Sequence, residues 1–310
     1  MKISKPKFWE NNDKTILSLL FYPLSLLIKL LFTTKNLITK KQRASIPIIC
    51  VGNIYIGGTG KTPLTIKIHE LIKKQKRNPA IIKKYYKNQK DEINLISDKT
   101  DDIFVDKSRF NGINNSTRKG YKIAILDDGL QDLTIEKDLS IVCFSSYQLI
   151  GNGLTVPAGP LRESLSSIGK YDISVINGPE NKDFEKKIID ISGVKNIFYT
   201  NYFPTNADKF KNKKMLAFAG IGNPENFFRT LEKNAIIIEK KLAFPDHYNY
   251  SKKDIAKIKN MAKDSNLEII TTEKDYFRMD NLYRNEIDYL SIKVEITDEN
   301  NFLNEINKYL

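Results

Sequence analysis

The chain has 310 residues, 41% of them hydrophobic and 28% charged, a balance that excludes a disordered protein and leaves room for two domains with buried cores. Its 50 lysines and arginines against 37 acidic residues give a formal net charge of +13, which favours an anionic partner: a membrane surface, a nucleic acid or a phosphorylated substrate. Cys50 and Cys143 lie in apolar runs with no cysteine or histidine nearby, so we expect buried thiols in a reducing compartment and neither a disulfide nor a zinc site.

The first candidate element is residues 16–32, ILSLLFYPLSLLIKLLF, an almost wholly apolar stretch with lysines on both sides. It is slightly shorter than the about 20 residues that cross a bilayer core, and no small-residue cleavage site marks it as a signal peptide. We therefore expect an apolar helix that lies in the interface of a membrane, near anionic headgroups. A helix that spans the membrane and a helix buried in the protein are the alternatives.

Residues 47–63, PIICVGNIYIGGTGKTP, predict an apolar strand, a glycine-rich turn and a helix that opens with Lys-Thr. Glycine accepts positive φ and lets the backbone approach a phosphate chain, while the N–H groups of the turn and of the helix start bind anions. Tyr55 stands where the usual spacing has its first glycine, so the loop is a variant, and an ordinary strand–helix turn is the alternative. Lys61 is expected to reach the β/γ-phosphates and Thr62 to hold Mg²⁺. The predicted nucleotide-binding residues are Gly57, Gly58, Thr59, Gly60, Lys61 and Thr62.

Apolar runs and helical spacing alternate further along the chain. The sequence predicts a helix over 62–74, a polar loop over 83–92, and strands at 80–82, 120–127, 139–144 and 173–176. This alternation predicts an α/β fold: a mostly parallel sheet like that of P-loop NTPases, flanked by helices, with the binding crevice at the carboxyl ends of its strands.

Two polar segments should lie at that edge of the sheet. The strand at 120–127 delivers Asp127 and Asp128, in the position of the acids that hold or orient Mg²⁺ beside a nucleotide. Neighbouring strand residues point apart, so the two carboxylates should have different roles. A stiff loop at 151–163 ends in Arg162 and Glu163, and an arginine there would neutralise charge during phosphoryl transfer. An acidic turn and a structural loop are the plainer interpretations.

The predicted domains are a membrane-associated helical segment (1–45), a nucleotide-binding domain (46–205) and a smaller α/β domain that contributes to the active site (206–310), with the linker at 201–213. In the last domain, Asn223 and Ser251 are expected to cap helices, and strands are predicted at 215–221, 235–238, 267–272 and 289–296. His69 receives no role. His247 follows a strand in a loop and is a candidate for proton transfer, with a surface histidine as the plainer interpretation.

Five motifs occur in a fixed order: GNIYIGGTGKTP, LDDGLQD, GNGLTVPAGPLRES, FPDHYNY and TTEKDYFRM. Together they resemble tetraacyldisaccharide 4′-kinase, the lipid A 4′-kinase family of Gram-negative bacteria, over about residues 10 to 280. The resemblance implies transfer of the γ-phosphate of ATP, with Mg²⁺, to the 4′-hydroxyl of a tetraacylated glucosamine disaccharide 1-phosphate, which gives lipid IVA. It also implies a peripheral protein on the cytoplasmic face of the inner membrane. Its partners would be this acylated disaccharide phosphate and an anionic membrane surface, with no nucleic acid.

The resemblance also implies roles for particular residues. In the family an aspartate and a histidine act as a dyad that activates the sugar hydroxyl; the matching residues are Asp91, the candidate base, and His247, which orients it, with Lys61 completing the catalytic set. Because Asp91 and His247 fall in different predicted domains, closure of the domains over the substrates is expected. The implied metal ligands are Thr62, Asp127, Asp128 and Glu163. Substrate contact or charge stabilisation is implied for Glu92, Arg109, Gln131, Arg162, Asp246 and Tyr86.

This chain departs from the family pattern in two places. Where the family usually has Ser-Arg-Gly-Tyr-Gly-Gly, residues 83–88 read KKYYKN and the segment up to Asp91 is shorter, and Asp132 replaces a histidine. A membrane-docking P-loop switch ATPase is the alternative from another class, since it would use the phosphate loop and the apolar helix but no sugar base. A nucleic-acid-dependent ATPase is disfavoured because the sequence shows no interleaved aromatic and basic residues.

Overall fold

The computed structural model describes residues 6–10, 15–86, 90–193, 196–246 and 248–310. Its helices are α1 (Ile16–Ile38), α2 (Lys61–Lys74), α3 (Lys90–Lys99), α4 (Arg109–Arg118), α5 (Lys182–Ser192), α6 (Pro224–Lys233), α7 (Lys252–Asp264), α8 (Glu273–Arg278) and α9 (Glu299–Asn307). Its strands are β1 (Ile48–Gly52), β2 (Pro79–Lys84), β3 (Ile103–Asp106), β4 (Ile123–Asp127), β5 (Leu139–Ser145), β6 (Ile173–Asn177), β7 (Ile197–Pro204), β8 (Lys214–Ala219), β9 (Ile237–Ala243), β10 (Glu268–Thr272), β11 (Ile287–Leu290) and β12 (Ile292–Ile296).

The chain forms two compact units. The first comprises Met1–Tyr85, Asp102–Asn201 and Val294–Leu310, and the second comprises Tyr86–Asp101 and Tyr202–Lys293. The predicted domains 46–205 and 206–310 are continuous blocks. In the structure, Tyr86–Asp101 of the first block belongs to the second unit, and Val294–Leu310 of the second block belongs to the first unit.

An eight-stranded sheet lies at the centre of the first unit, in the order β12-β7-β6-β5-β1-β4-β2-β3. The pairings from β7 to β3 are parallel. Ile48 and Cys50 of β1 pack in one buried cluster and Ile49 and Val51 in another, so both faces are covered and the strand reads as an unbroken apolar run. The predicted α/β fold with a mostly parallel sheet is confirmed. Its parallel strands bring the carboxyl ends of β1, β2 and β4 to one edge.

The prediction of a polar loop over residues 83–92 is wrong at both ends. Strand β2 extends to Lys84, and α3 begins at Lys90. Asp91 and Glu92 therefore lie in the first turn of a helix, where acidic side chains interact favourably with the positive end of the helix dipole. Polar composition alone concealed this short helix, whose buried face includes Leu95 and Ile96.

The second unit is built on a four-stranded parallel sheet in the order β11-β10-β8-β9. The predicted helix starts are confirmed: Asn223 caps α6 with Pro224 following it, and Ser251 and Asp254 form a capping box at α7. The predicted strand at 289–296 is instead two strands, β11 and β12, which separate at Ser291. The predicted linker is also structured in part, because β7 runs to Pro204.

Helix α3 packs in the second unit, against α8. The carboxylate of Asp91 accepts hydrogen bonds from Arg278 Nε at 3.1 Å and Nη2 at 2.8 Å, and Arg278 Nη1 donates to Asp275 Oδ1 at 2.7 Å. Glu92 pairs with Lys274 at 3.2 Å. Asp91 was expected in the nucleotide-binding domain, and these contacts explain why it belongs to the other unit: its helix is joined to α8 by buried charge.

Helix α1 extends the predicted apolar stretch to Ile38. Only Ser18 and Ser25 are buried along it, whereas Ile16, Leu20 and Leu31 are 86%, 71% and 60% exposed. Among the described residues it is the helix that is long and apolar enough to cross a membrane, by length and composition only. A core helix of a globular protein buries its apolar stripe, so the alternative of a helix buried in the protein is wrong.

Arg278→Met should destabilise the second unit, because it removes the guanidinium that bridges two carboxylates of which Asp91 is 2% and Asp275 0% exposed. Breaking such a buried pair costs about 3–5 kcal/mol. Urea unfolding followed by circular dichroism measures the change in the free energy of unfolding.

Lys213→Met is the matched control. It removes the same kind of charge from an ion pair with Glu268 whose side chains are 43% and 49% exposed, where a loss below about 1 kcal/mol is expected. Equal losses in the two variants would contradict a structural role for Arg278.

Candidate active site

The phosphate loop runs between the end of β1 at Gly52 and the start of α2 at Lys61. The amide of Asn53, which is fully buried, donates to Tyr55 O at 2.7 Å, Gly57 O at 3.2 Å and Thr59 Oγ1 at 2.9 Å, so one side chain holds the loop from inside. Gly60 has φ 88° at the N-cap of α2, a left-handed conformation that glycine adopts without a steric penalty. The loop therefore presents its backbone and the positive end of a 14-residue helix, as an anion site requires.

Tyr55, which stands where the usual spacing has its first glycine, is part of the core. Its side chain is 2% exposed and packs in the core, and burial raises the pKa of its phenol to about 12. The backbone beside it is tied to the 151–163 loop, since Ile56 N donates to Pro160 O at 2.8 Å and Arg162 N donates to Ile54 O at 2.6 Å. The loop is thus fixed by contacts that its sequence spacing did not indicate.

Asp127 lies at the end of β4, next to the start of α2. It is fully buried, and its carboxylate accepts from Thr62 Oγ1 at 3.1 Å and from Thr65 Oγ1 at 3.2 Å. The structure therefore brings together the hydroxyl and the carboxylate that the sequence paired around Mg²⁺.

Lys83 is a residue of this site that the sequence reasoning missed. It is 1% exposed at the end of β2, and its Nζ lies 2.6 Å from Asp127 Oδ2. The two residues are neighbours in the parallel register of β2 and β4. A lysine at the end of an otherwise apolar strand was the available signal, but the stretch was interpreted as a loop.

Asp128 points away from its neighbour, as expected for adjacent acids. Its φ of 54° turns the chain sharply after β4. Its carboxylate lies 3.7 Å from Lys61 Nζ and 3.1 Å from Arg162 Nη1, and its backbone oxygen accepts from Arg109 Nη2 at 2.5 Å. Three of the predicted cations thus converge on one residue.

Arg109 is oriented by Asp132, the residue that departs from the family pattern. Arg109 Nη1 lies 3.1 Å from Asp132 Oδ2, and Arg109 is 5% exposed. Burial alone would raise the pKa of Asp132, but the hydrogen bond from Thr134 and the Arg109 guanidinium outweigh it and lower that pKa. Asp132 is therefore an anion at neutral pH and a fixed partner for Arg109.

Gln131 and Glu163 form a second polar layer beside Asp128. Gln131 Nε2 donates to Glu163 Oε1 at 2.8 Å, and its Oε1 accepts from Arg162 Nη1 at 3.2 Å. Tyr171 donates to both oxygens of Glu163 at 3.0 Å, and burial followed by the Glu163 charge raises the pKa of that phenol, which keeps it a donor. In the structure, Glu163 thus orients Gln131, and its predicted role as a metal ligand stays a prediction.

The remaining predicted residues belong to the second unit. Asp91 and Glu92 lie on α3 in the ion pairs described above, Tyr86 is 39% exposed just before that helix, and Asp246 lies half-buried in a turn. His247 lies outside the described residues. The first-unit His69 is 2% exposed with Nε2 3.0 Å from Asp102 Oδ2, and burial lowers its pKa, which fits a structural residue.

The oxygen donors of Thr62, Asp127 and Asp128 suit a hard cation such as Mg²⁺. Among the described residues, no group of three or more histidine, cysteine or acidic side chains could hold a metal by itself. Magnesium ordinarily uses one or two carboxylates and completes its shell with water and substrate phosphates, so this donor set fits that ion.

Comparisons with known proteins identify the family. The model of the family described as tetraacyldisaccharide-1-P 4′-kinase (LpxK) matches residues 17–310. A tetraacyldisaccharide 4′-kinase of Pelagibacter ubique is 44% identical over 99% of this chain and 98% of its own length, and one of Rickettsia bellii is 30% identical over 99% of each. The chain belongs to the tetraacyldisaccharide 4′-kinase family. The resemblance drawn from its motifs is confirmed.

The fold is that of a solved member of the family. The crystal structure of LpxK from Aquifex aeolicus in complex with ATP aligns with a TM-score of 0.74 at 23% identity, covering 95% of this chain and 99% of that one. The agreement includes both units, because the alignment spans nearly the whole of each chain.

Proposed function

We propose that this protein transfers the γ-phosphate of ATP to the 4′-hydroxyl of a tetraacylated glucosamine disaccharide 1-phosphate, forming lipid IVA in lipid A biosynthesis. The observation that carries the proposal is the meeting of Lys61, Thr62, Asp127 and Asp128 at the phosphate loop of a chain that belongs to the 4′-kinase family. Phosphoryl transfer needs such a site, since its catalysis consists mainly of positioning and of neutralising charge on the phosphates.

The nucleotide end of the reaction is assigned to the first unit. The loop amides and Lys61 would hold the β- and γ-phosphates, and Arg162 and Arg109 would neutralise charge that develops during transfer. Thr62 with Asp127 and Asp128 would hold Mg²⁺, which supplies charge neutralisation when bound. The arginines are already oriented by Asp128 and Asp132, so little reorganisation is needed when substrate arrives.

Lys61→Met should weaken ATP binding about tenfold to a hundredfold, because hydrogen bonds to charged groups contribute about 1.5–3 kcal/mol. Isothermal titration with ATP and Mg²⁺ measures the dissociation constant. Lys67→Met is the matched control on the same helix, since Lys67 pairs with Glu299 at 2.6 Å and has no part in the site. Unchanged ATP affinity in Lys61→Met would remove the lysine from the phosphate site.

The acceptor end is assigned to Asp91 as the general base. A general base works best when its side chain is held in one orientation. Arg278 binds Asp91 Oδ2 through two nitrogens and also donates to Gly220 O at 2.8 Å. Asp275, the other partner of Arg278, accepts from Tyr250 OH at 3.0 Å. The base thus belongs to a buried, hydrogen-bonded network rather than to a free loop.

Asp91→Asn should reduce kcat by about 10² to 10⁴, the usual contribution of a general base, and leave the affinity for ATP unchanged. Transfer from radiolabelled ATP to a defined acylated disaccharide phosphate, separated by thin-layer chromatography, measures the rate. Asp98→Asn on the same helix is the control, because Asp98 pairs with Lys99 at 3.1 Å and is 35% exposed. Full transfer by Asp91→Asn would exclude the aspartate as base.

The same assay separates the kinase from a membrane-docking switch ATPase. A kinase of this specificity releases or transfers phosphate only when the acylated disaccharide phosphate is present. A switch ATPase would hydrolyse ATP equally with and without it.

The apolar helix suits a substrate whose acyl chains remain in a bilayer. We place the protein on the cytoplasmic face of the inner membrane as a peripheral protein, with α1 lying among anionic headgroups. Its exposed leucines would bury apolar surface, and the lysines on both sides would attract anionic lipid.

Replacing Leu20 and Leu31 together with lysine should reduce binding to vesicles of phosphatidylethanolamine and phosphatidylglycerol at least tenfold, since each buried leucine contributes about 1.5–3 kcal/mol. Co-sedimentation measures the bound fraction. Leu282→Lys is the control, because Leu282 is 83% exposed but lies outside α1. If the double variant bound as well as the parent, another surface would have to be the anchor.

A further inference from the structure

Lys83 is unusual because its side chain is buried and paired with Asp127, a residue of the nucleotide site. Its side chain is 1% exposed and its Nζ lies 2.6 Å from Asp127 Oδ2, on a carboxylate that is itself fully buried. Lysine is almost never fully buried unless it is paired. Burying such a pair is often no more stabilising than apolar packing of the same volume, so its presence calls for a reason other than stability.

The carboxylate that Lys83 holds is the one at the phosphate loop. Asp127 also accepts from Thr62 Oγ1 at 3.1 Å and from Thr65 Oγ1 at 3.2 Å. A carboxylate has about four lone-pair positions, and three donors from two elements, α2 and β2, already bind to it. A divalent cation that approaches Asp127 beside Thr62 therefore meets a bound ammonium.

We propose that Lys83 is a resident cation that competes with the divalent metal for Asp127, so that the metal binds efficiently only together with the nucleotide. The inference rests on the proposed nucleotide and metal site and is independent of the lipid acceptor.

The local charges explain why the metal would bind more tightly together with the nucleotide than alone. At least three cations, Lys61, Lys83 and Arg162, face the carboxylates of Asp127 and Asp128. A bare divalent ion would enter a site whose carboxylates are already compensated. A metal that arrives with a triphosphate brings negative charge with it. That charge offsets the repulsion between the metal and the ammonium of Lys83, whose flexible four-carbon stem lets the ammonium move away from Asp127 as the metal binds.

Lys83→Met tests the proposal, because it removes the charge and keeps most of the stem. The free Mg²⁺ concentration that half-saturates binding of a fluorescent ATP analogue should fall about tenfold, since a unit charge at this range is a strong competitor. Mg²⁺ without nucleotide should also raise the melting temperature of Lys83→Met more than that of the parent. Lys67→Met, which breaks an equally short pair between the buried Lys67 and the 40% exposed Glu299, should leave both measurements unchanged.

Each other outcome overturns the proposal. An unchanged or higher Mg²⁺ requirement would show that Lys83 does not compete with the metal. A loss of affinity for the ATP analogue at saturating Mg²⁺, with the Mg²⁺ midpoint unchanged, would make Lys83 a phosphate ligand instead.

Folding of the variant does not obscure the result. If Lys83→Met folds only in the presence of Mg²⁺, the metal has replaced the lost cation, as proposed. Lys83→Gln, which keeps a hydrogen-bond donor, serves where the methionine variant does not fold, and failure of both to fold in excess Mg²⁺ would contradict the proposal. If nucleotide and Mg²⁺ bind as described but no lipid is phosphorylated, the proposed function fails and this inference stands.

Discussion

The buried carboxylate of Asp127 is the constraint around which the nucleotide site is built. A fully buried anion is costly unless hydrogen bonds and a counter-ion compensate it, and Thr62, Thr65 and Lys83 supply these from α2 and β2. Each of these donors can reach Asp127 only because β1, β2 and β4 are parallel neighbours that end at the same edge. The order of the strands, the phosphate loop and the site chemistry therefore depend on one another.

In both units a buried carboxylate is compensated by a basic side chain. Asp127 is held by Lys83 in the first, and Asp91 is held by Arg278 in the second. In both units the basic residue, Lys83 on β2 or Arg278 on α8, pairs with an acid that is distant in the sequence. Buried ion pairs of this kind add specificity of position more than stability. Such rigidity suits groups that must meet a phosphate or a hydroxyl in one orientation.

Some elements of this fold can be predicted from the sequence and others cannot, for physical reasons. The strands near Cys50 and Leu126 were predictable because burial on both faces of a parallel sheet requires unbroken apolar runs, and the caps at Asn223 and Ser251 because capping is local. Lys83 and α3 were missed because polar residues in a short segment carry no periodic signal. The partners of Asp91 could not be predicted, because Asp91 and Arg278 are 187 residues apart in the sequence and only tertiary packing brings them together.

The loop at 151–163 joins the exposed helix to the nucleotide site. Ser25 of α1 donates to Thr155 O at 2.9 Å and accepts from Ala158 N at 3.0 Å, while Trp9 Nε1 donates to Pro157 O at 3.0 Å. The same loop continues into the Arg162 N–Ile54 O bond of the phosphate loop. Ser25 is thus one of only two buried positions on α1, because it is where the helix is attached to the unit. The segment that fixes α1 to the unit is therefore the same one that ends in Arg162, whose side chain pairs with Asp128.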